Sequence, residues 1–146
     1  MCTVFITPIS TDQYDELLQL WESSVRATHH FLTESDIVEI RACLKEAYFP
    51  MVSLYGIQDI KGNIQAFLGY NEQKVEMLFV HPDFMGRGLG KRLMQYAISD
   101  LGADSVDVNE QNEQATLFYN HLGFKIIGRD ETDSSGKPYP ILHLKR

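Results

Sequence analysis

The stretch Val80-His81-Pro82-Asp83-Phe84-Met85-Gly86-Arg87-Gly88-Leu89-Gly90-Lys91-Arg92 decides how the rest of this chain is read. A strand-like run from Lys74 to Val80 stops at Pro82, and three glycines follow. Leu89, Leu93, Ala97, Ile98 and Leu101 then recur at helical spacing. The pattern predicts a strand, a glycine-rich turn and a helix that opens inside the turn. Glycine has no Cβ to hold an anion away from backbone N–H groups, and a helix mouth offers unpaired N–H donors with a partial positive charge. Arg87, Lys91 and Arg92 place three of the chain's 13 Lys and Arg within a few residues, in a protein of net charge −7. Together these features describe a phosphate cradle. Two familiar cradles fail on spacing. Gly86, Gly88 and Gly90 read G-x-G-x-G, not the dinucleotide G-x-G-x-x-G, and Gly86 stands too close to Gly90 for a Walker A loop. A dehydrogenase or an NTPase is disfavoured. A turn that binds nothing is the plainer alternative, and the adjoining cations and helix start weigh against it.

Outward from the turn, the chain reads as one domain over residues 1–146, 44% apolar and 23% charged, with no repeat or linker. Thr3 to Ile9 is expected as a first strand. Ser10 and Gln13 form a capping-box pattern ahead of the stripe Tyr14, Leu17, Leu18, Trp21 and Val25. Thr33 and Asp36 open a second helix with the stripe Ile37, Ile40, Leu44 and Tyr48, ended by Pro50. Met51 to Gln58, Ile64 to Tyr70 and Lys74 to Val80 are expected as a three-stranded meander. After the turn and its helix come a strand at Ser105 to Asn109 and a helix over Ala115, Phe118, Tyr119 and Leu122 closed by Gly123. Phe124 to Asp130 and Tyr139 to Leu144 then make a last hairpin. The order β-α-α-β-β-β-α-β-α-β-β predicts a mixed sheet flanked by helices.

An acidic chain is a poor binder of nucleic acid or anionic membrane. No apolar run approaches a membrane span, the N-terminus lacks a targeting pattern, and Cys2 and Cys43 read as reduced thiols, so a cytoplasmic location is expected. The five histidines show no metal-ligand spacing, and no nucleophile elbow is present.

A second motif lies downstream: Asn112, Ala115, Tyr119, Gly123 and Phe124 match Asn-x-x-Ala-x-x-x-Tyr-x-x-x-Gly-Phe. With Leu78-Phe79-Val80-His81-Pro82 and the loop Met85 to Gly90, the chain resembles the GNAT superfamily of N-acetyltransferases in its small, single-domain bacterial form. Met85 stands where that family usually has Gln or Arg, which removes one side chain at the loop entrance and leaves the backbone donors. The resemblance implies an α/β (α+β) fold with a mostly antiparallel sheet of about seven strands and four helices. It also implies acetyl-CoA as cosubstrate, with no metal. The N–H groups from Arg87 through Gly88, Leu89 and Gly90 to Lys91, with Arg92 beside them, would hold the pyrophosphate. The backbone of Leu78, Phe79 and Val80 would pair with the pantetheine arm and supply an oxyanion donor. Tyr119 would be the acid facing the leaving sulfur, or else a core aromatic. Asn112 would touch the cofactor, cap its helix, or do both. Glu76 is the expected general base, against a plain reading as a solvent-facing strand residue. His29, His30 and Phe31, between the first two helices, are the expected acceptor-binding residues, or ordinary loop residues.

The leading expectation is direct acetyl transfer to a primary amine, on a small molecule or a lysine of a peptide or protein, in a ternary complex. A non-catalytic acyl-CoA-binding regulatory module is the alternative, and a ligand-free interaction domain is the third. Either a monomer or a homodimer fits, with no nucleic acid or membrane partner.

Overall fold

In the computed structural model, which describes residues 5–146, the apolar runs become seven strands of one sheet. They are β1 (Phe5–Pro8), β2 (Ser53–Gln58), β3 (Ile64–Asn71), β4 (Lys74–Val80), β5 (Ser105–Asn109), β6 (Lys125–Asp130) and β7 (Ile141–Lys145). Their spatial order is β1-β2-β3-β4-β5-β7-β6, and every neighbouring pair is antiparallel except β4 and β5. The helices are α1 (Tyr14–Thr28), α2 (Glu34–Cys43), α3 (Leu89–Ser99) and α4 (Glu113–His121). This is the expected fold class. Thr3 and Cys2 fall outside the described residues, and the described first strand begins at Phe5.

The capping predictions hold. Ser10 N–H donates to Gln13 Oε1 at 3.1 Å, ahead of a 3-10 turn that leads into α1. Thr33 and Asp36 exchange reciprocal bonds of 3.0 and 3.1 Å at the start of α2. One helical expectation fails. The stripe from Ile37 to Tyr48 is not one α-helix: α2 ends at Cys43 and widens into a π-turn over Leu44–Tyr48, then a 3-10 turn over Phe49–Met51. Pro50 has no N–H to continue the ladder, and its ring crowds the carbonyl four residues back. In the wider turn Phe49 N–H reaches the carbonyl of Leu44, and both side chains are buried.

Two cores lie on the two faces of the sheet. Leu89, Leu93, Met94 and Ala97 of α3 and Tyr119 of α4 pack on one face with Leu68, Val75, Val106 and Leu144. Leu17, Trp21 and Val25 of α1 pack on the other with Leu54, Phe67 and Phe49. Strand β4 serves both cores in an irregular way. Val75 and Leu78 belong to the α3/α4 face and Met77 and Phe79 to the α1/α2 face, because the register with β3 skips Glu76. That skip is a β-bulge, which breaks the simple alternation and re-aims the residues after it.

The end of α4 is equally specific. Phe124 N–H bonds the carbonyl of Tyr119 at 3.1 Å, Gly123 N–H bonds that of Asn120 at 3.0 Å, and Gly123 has φ +96°. This paired closure needs a left-handed residue after the helix. Gly123→Ala should cost roughly 1–2 kcal/mol, the penalty of a Cβ in that conformation. The expected result is a lower urea midpoint with an unchanged m value.

Candidate active site

Strands β4 and β5 run parallel and pair only at Lys74↔Ser105 and Val75↔Val106. Beyond the bulge they part, leaving the β5-facing backbone of residues 76–80 without a strand partner on that side. A cavity of about 610 Å³ fills the gap, walled by Leu78 and Phe79 of β4, Asp107 and Asn109 of β5, and Asn112 and Tyr119 of α4. A second cavity of about 440 Å³ adjoins it on the α1/α2 face, under Trp21, Val25 and Tyr139. His29, Glu76, Met77 and Phe79 line both, so the two form one passage through the sheet.

Tyr119 is 6% exposed, and its ring lies 5.2 Å from that of Phe118 and 6.0 Å from that of Phe124. It is therefore a core aromatic that also lines the cleft. Burial raises its phenol above the ordinary value near 10, so it remains a hydrogen-bond donor throughout the neutral range. Asn112 caps α4 through Oδ1, which accepts from Ala115 N–H at 3.3 Å, and the residue also lines the gap.

At the far end of β4 the glycine loop turns into α3. Gly86 and Gly88 have φ +78° and +79°, and Gly88 is the N-cap. The first helical bond runs from Arg92 N–H to the carbonyl of Gly88, so the amides of Leu89, Gly90 and Lys91 have no intrahelical acceptor. A Cβ on Gly90 would lie 3.7 Å from Phe118 and 3.8 Å from Val80, which places this mouth beside α4 and the end of β4. Val80 and residues Arg87 to Arg92 do not line either cavity; they form the outer shelf beyond Leu78 and Phe79. Arg87 lies over the Phe84 ring, 5.4 Å from its centre. Among the described residues, no carboxylate pairs with Arg87, Lys91 or Arg92. The shelf fits a diphosphate: open amides, no obstructing Cβ and free cations.

The three residues between α1 and α2 separate. His29 is half-buried in the passage, His30 is exposed outside it, and Phe31 backs His29 at 5.4 Å and meets Tyr139 at 5.6 Å. The Thr28 hydroxyl donates to the carbonyl of Ser24 at 2.8 Å, so His29 Nδ1, 2.7 Å from the same oxygen, must carry the proton. Nε2 is then a lone-pair acceptor. Burial, with a smaller contribution from His30, lowers the pKa of His29 to about 4 and keeps the ring neutral.

Glu76 sits on the bulge, exposed at the junction of the cavities, with Lys74 Nζ at 3.5 Å. Lys74 also reaches Asp107 at 2.6 Å, and His143 bridges Asp107 at 2.7 Å and Asp130 at 2.8 Å. The two carboxylates raise the pKa of His143. No single motif announces this chain of charges; period-two alternation along β5 and β7 puts Asp107 and His143 on one face, and register makes them neighbours. Among the described residues no group of His, Cys, Asp or Glu is placed to hold a metal ion, and no helix is long and apolar enough to cross a membrane.

Comparison with known proteins agrees with this architecture. The family model for the acetyltransferase (GNAT) domain matches residues 21–138. The chain is 37% identical over 133 residues to the peptidyl-lysine N-acetyltransferase YjaB of Escherichia coli K12, covering 91% of this chain and 90% of that one. It is 28% identical over 120 residues to the peptidyl-lysine N-acetyltransferase YiaC of the same organism, covering 80% and 82%. The solution structure of apo YjaB from Escherichia coli superposes with TM-score 0.89 at 35% identity, over 98% of this chain and 97% of that one. The Thermoplasma acidophilum PaiA N-acetyltransferase, solved with coenzyme A, shares the fold at TM-score 0.73 and 19% identity, over 99% of each chain.

A neutral His29 has a consequence for stability. Its folded pKa lies below the ordinary 6.5, so between about pH 6.5 and 4 the unfolded chain binds the extra proton and acid destabilises the fold. The contribution lost between pH 7 and pH 5 is about 2 kcal/mol. His29→Gln should flatten the fall of unfolding free energy over that interval relative to wild type, as read by urea titrations at each pH.

Proposed function

The chain belongs to the GNAT acetyltransferases and moves acetyl from acetyl-CoA to an amine, and we propose that the amine is the side chain of a peptidyl lysine. The observation that carries this reading is the passage between β4 and β5, open on both faces of the sheet. On the α3/α4 face the helix mouth and its cations suit a diphosphate, and the backbone of Leu78, Phe79 and Val80 suits a peptide-like arm. On the α1/α2 face Met77, Phe79 and Ile141 offer apolar walls to a methylene stem, with Glu76, Asp130 and Asp133 near its charged head. The relatives named peptidyl-lysine acetyltransferases support the same acceptor.

The reaction forms a C–N bond and breaks a C–S bond. A lysine amine is only ~0.04% neutral at pH 7, so a proton must first leave it. Glu76 accepts that proton, directly or through water, and the open Nε2 of His29 holds the nitrogen in line. A backbone N–H of residues 78–80 facing the gap donates to the carbonyl oxygen as charge develops there. Tyr119 donates its hydroxyl to the departing sulfur. With the phenol above 10 and a thiol near 8.5, complete transfer is uphill, so Tyr119 contributes a hydrogen bond. Sulfur takes the C–S electron pair and leaves as thiolate, and the proton the nitrogen loses as the amide forms passes to water. The free, exposed thiol of Cys43 and the net charge of −7 suit a cytoplasmic setting, and the scheme needs no nucleic acid, membrane or metal. It operates in a monomer or a homodimer.

Thiol release with a panel of lysine peptides, polyamines and amino sugars tests the acceptor: peptides should give the highest kcat/KM, and a preference for another class would reject the assignment. Tyr119→Phe should lower kcat on the order of 10²–10⁴-fold with acetyl-CoA affinity unchanged by calorimetry. Gly88→Trp should abolish acetyl-CoA binding while the far-UV spectrum is retained.

A further inference from the structure

Asp36 is 5% exposed, the one carboxylate among the described buried residues. A helix cap does not require such burial. One of its oxygens, Oδ2, accepts Thr33 N–H at 3.0 Å to complete the box at the start of α2. The rest of its bonding is long-range. Tyr139 donates its hydroxyl to Oδ2, and Lys137 Nζ donates to Oδ1 at 2.9 Å, both from the loop between β6 and β7. Lys137 bonds Glu39 of α2 at 2.9 Å as well. The bonds from Tyr139, Lys137 and Thr33 hold the Asp36 carboxyl well below the usual carboxylate range.

The loop so tethered is itself a compact knot. Asp133 Oδ1 accepts the N–H groups of Ser135 and Lys137 at 3.0 and 2.9 Å, and Asp133 N–H bonds the carbonyl of Lys137 at 3.0 Å. Asp133 and Ser134 line both cavities, and Tyr139 lies over the second against Phe31. The knot is therefore a wall of the passage on the α1/α2 face. Two of the loop's side chains, Lys137 and Tyr139, meet at the Asp36 carboxylate, and Lys137 takes Glu39 as a second partner on α2.

We propose that Asp36 is a positioning residue for the acceptor amine: its buried carboxylate fastens the β6–β7 loop to α2 and makes that loop a fixed wall at the acceptor end. The inference rests on reading the α1/α2 face as the acceptor side. Without the tether, the acceptor must order the loop as it binds, and that entropy is subtracted from its affinity. The cofactor, on the opposite face, does not meet the cost.

Four proteins separate this role from simple stabilisation of α2: wild type, Asp36→Asn, the double variant Lys137→Met/Tyr139→Phe, and Thr33→Ala. Asp36→Asn and the double variant should each raise the acceptor KM about 5–30-fold, speed hydrogen exchange of loop amides at least about tenfold, and leave acetyl-CoA affinity within about twofold. Combined, they should not add, because they cut the same contacts. Thr33→Ala removes the cap and keeps the tether, so it should lower Tm with KM and loop exchange unchanged. If Thr33→Ala raises KM as much as Asp36→Asn, Asp36 acts through helix stability and the proposal falls. Unchanged loop exchange in the double variant also overturns it. A wild-type enzyme that rejects lysine peptides counts against the acceptor class alone. The same comparison, run with whichever amine it accepts, and the exchange measurement still decide the tether.

Discussion

Two parallel strands that pair over two residues and then separate are the constraint on which this molecule depends. A sheet loses backbone hydrogen bonds wherever neighbours diverge, and buried N–H and C=O groups without partners are costly. The loss is tolerable where something else can bond them. In this chain the divergence starts at the Glu76 bulge, where β4 changes which side chains it gives to each core. The bulge turns Met77 and Phe79 to one face while Leu78 stays on the other, so a single strand walls both halves of the passage.

Much of this was legible because it is local. The glycine loop, the start of α3 and the closure of α4 are written in residues near one another, where Gly86, Gly88 and Gly123 meet a positive φ that only a residue without Cβ adopts easily. The spacing from Asn112 to Tyr119 likewise puts the cap and the buried phenol on one helix. The geometry of the glycine loop and of α4 could therefore be read almost residue by residue. The α1/α2 side could not. His29 and His30 are adjacent, and nothing in their order tells which enters the cleft; the helix end and Thr28 decide it. Alternation makes Val75 and Met77 face-mates, whereas the bulge parts them. The tie of Asp36 to Lys137 and Tyr139 spans 101 and 103 positions, and locally Asp36 reads only as a helix cap. The π-turn after Cys43 was also hidden, since its stripe satisfies helical spacing until Pro50 interrupts the ladder.

The charge layout follows the same division. Among the described residues, the cations of the loop and the first turn of α3 have no carboxylate partner, while Lys74 and His143 are locked between carboxylates across β4, β5, β6 and β7. Ion pairs of this partly exposed kind contribute little stability singly. Their arrangement matters more: an acidic protein keeps free positive charge at one shelf and leaves the opposite opening net negative.

The passage opens on both faces of the sheet, so the proposed function gives each reactant its own opening. On that proposal the spent carrier's way out, along the shelf at the start of α3, does not cross the acceptor's way in beside the β6–β7 loop. Two separate ways in then meet only where β4 has left β5, so that proposal requires neither reactant to wait for the other to clear.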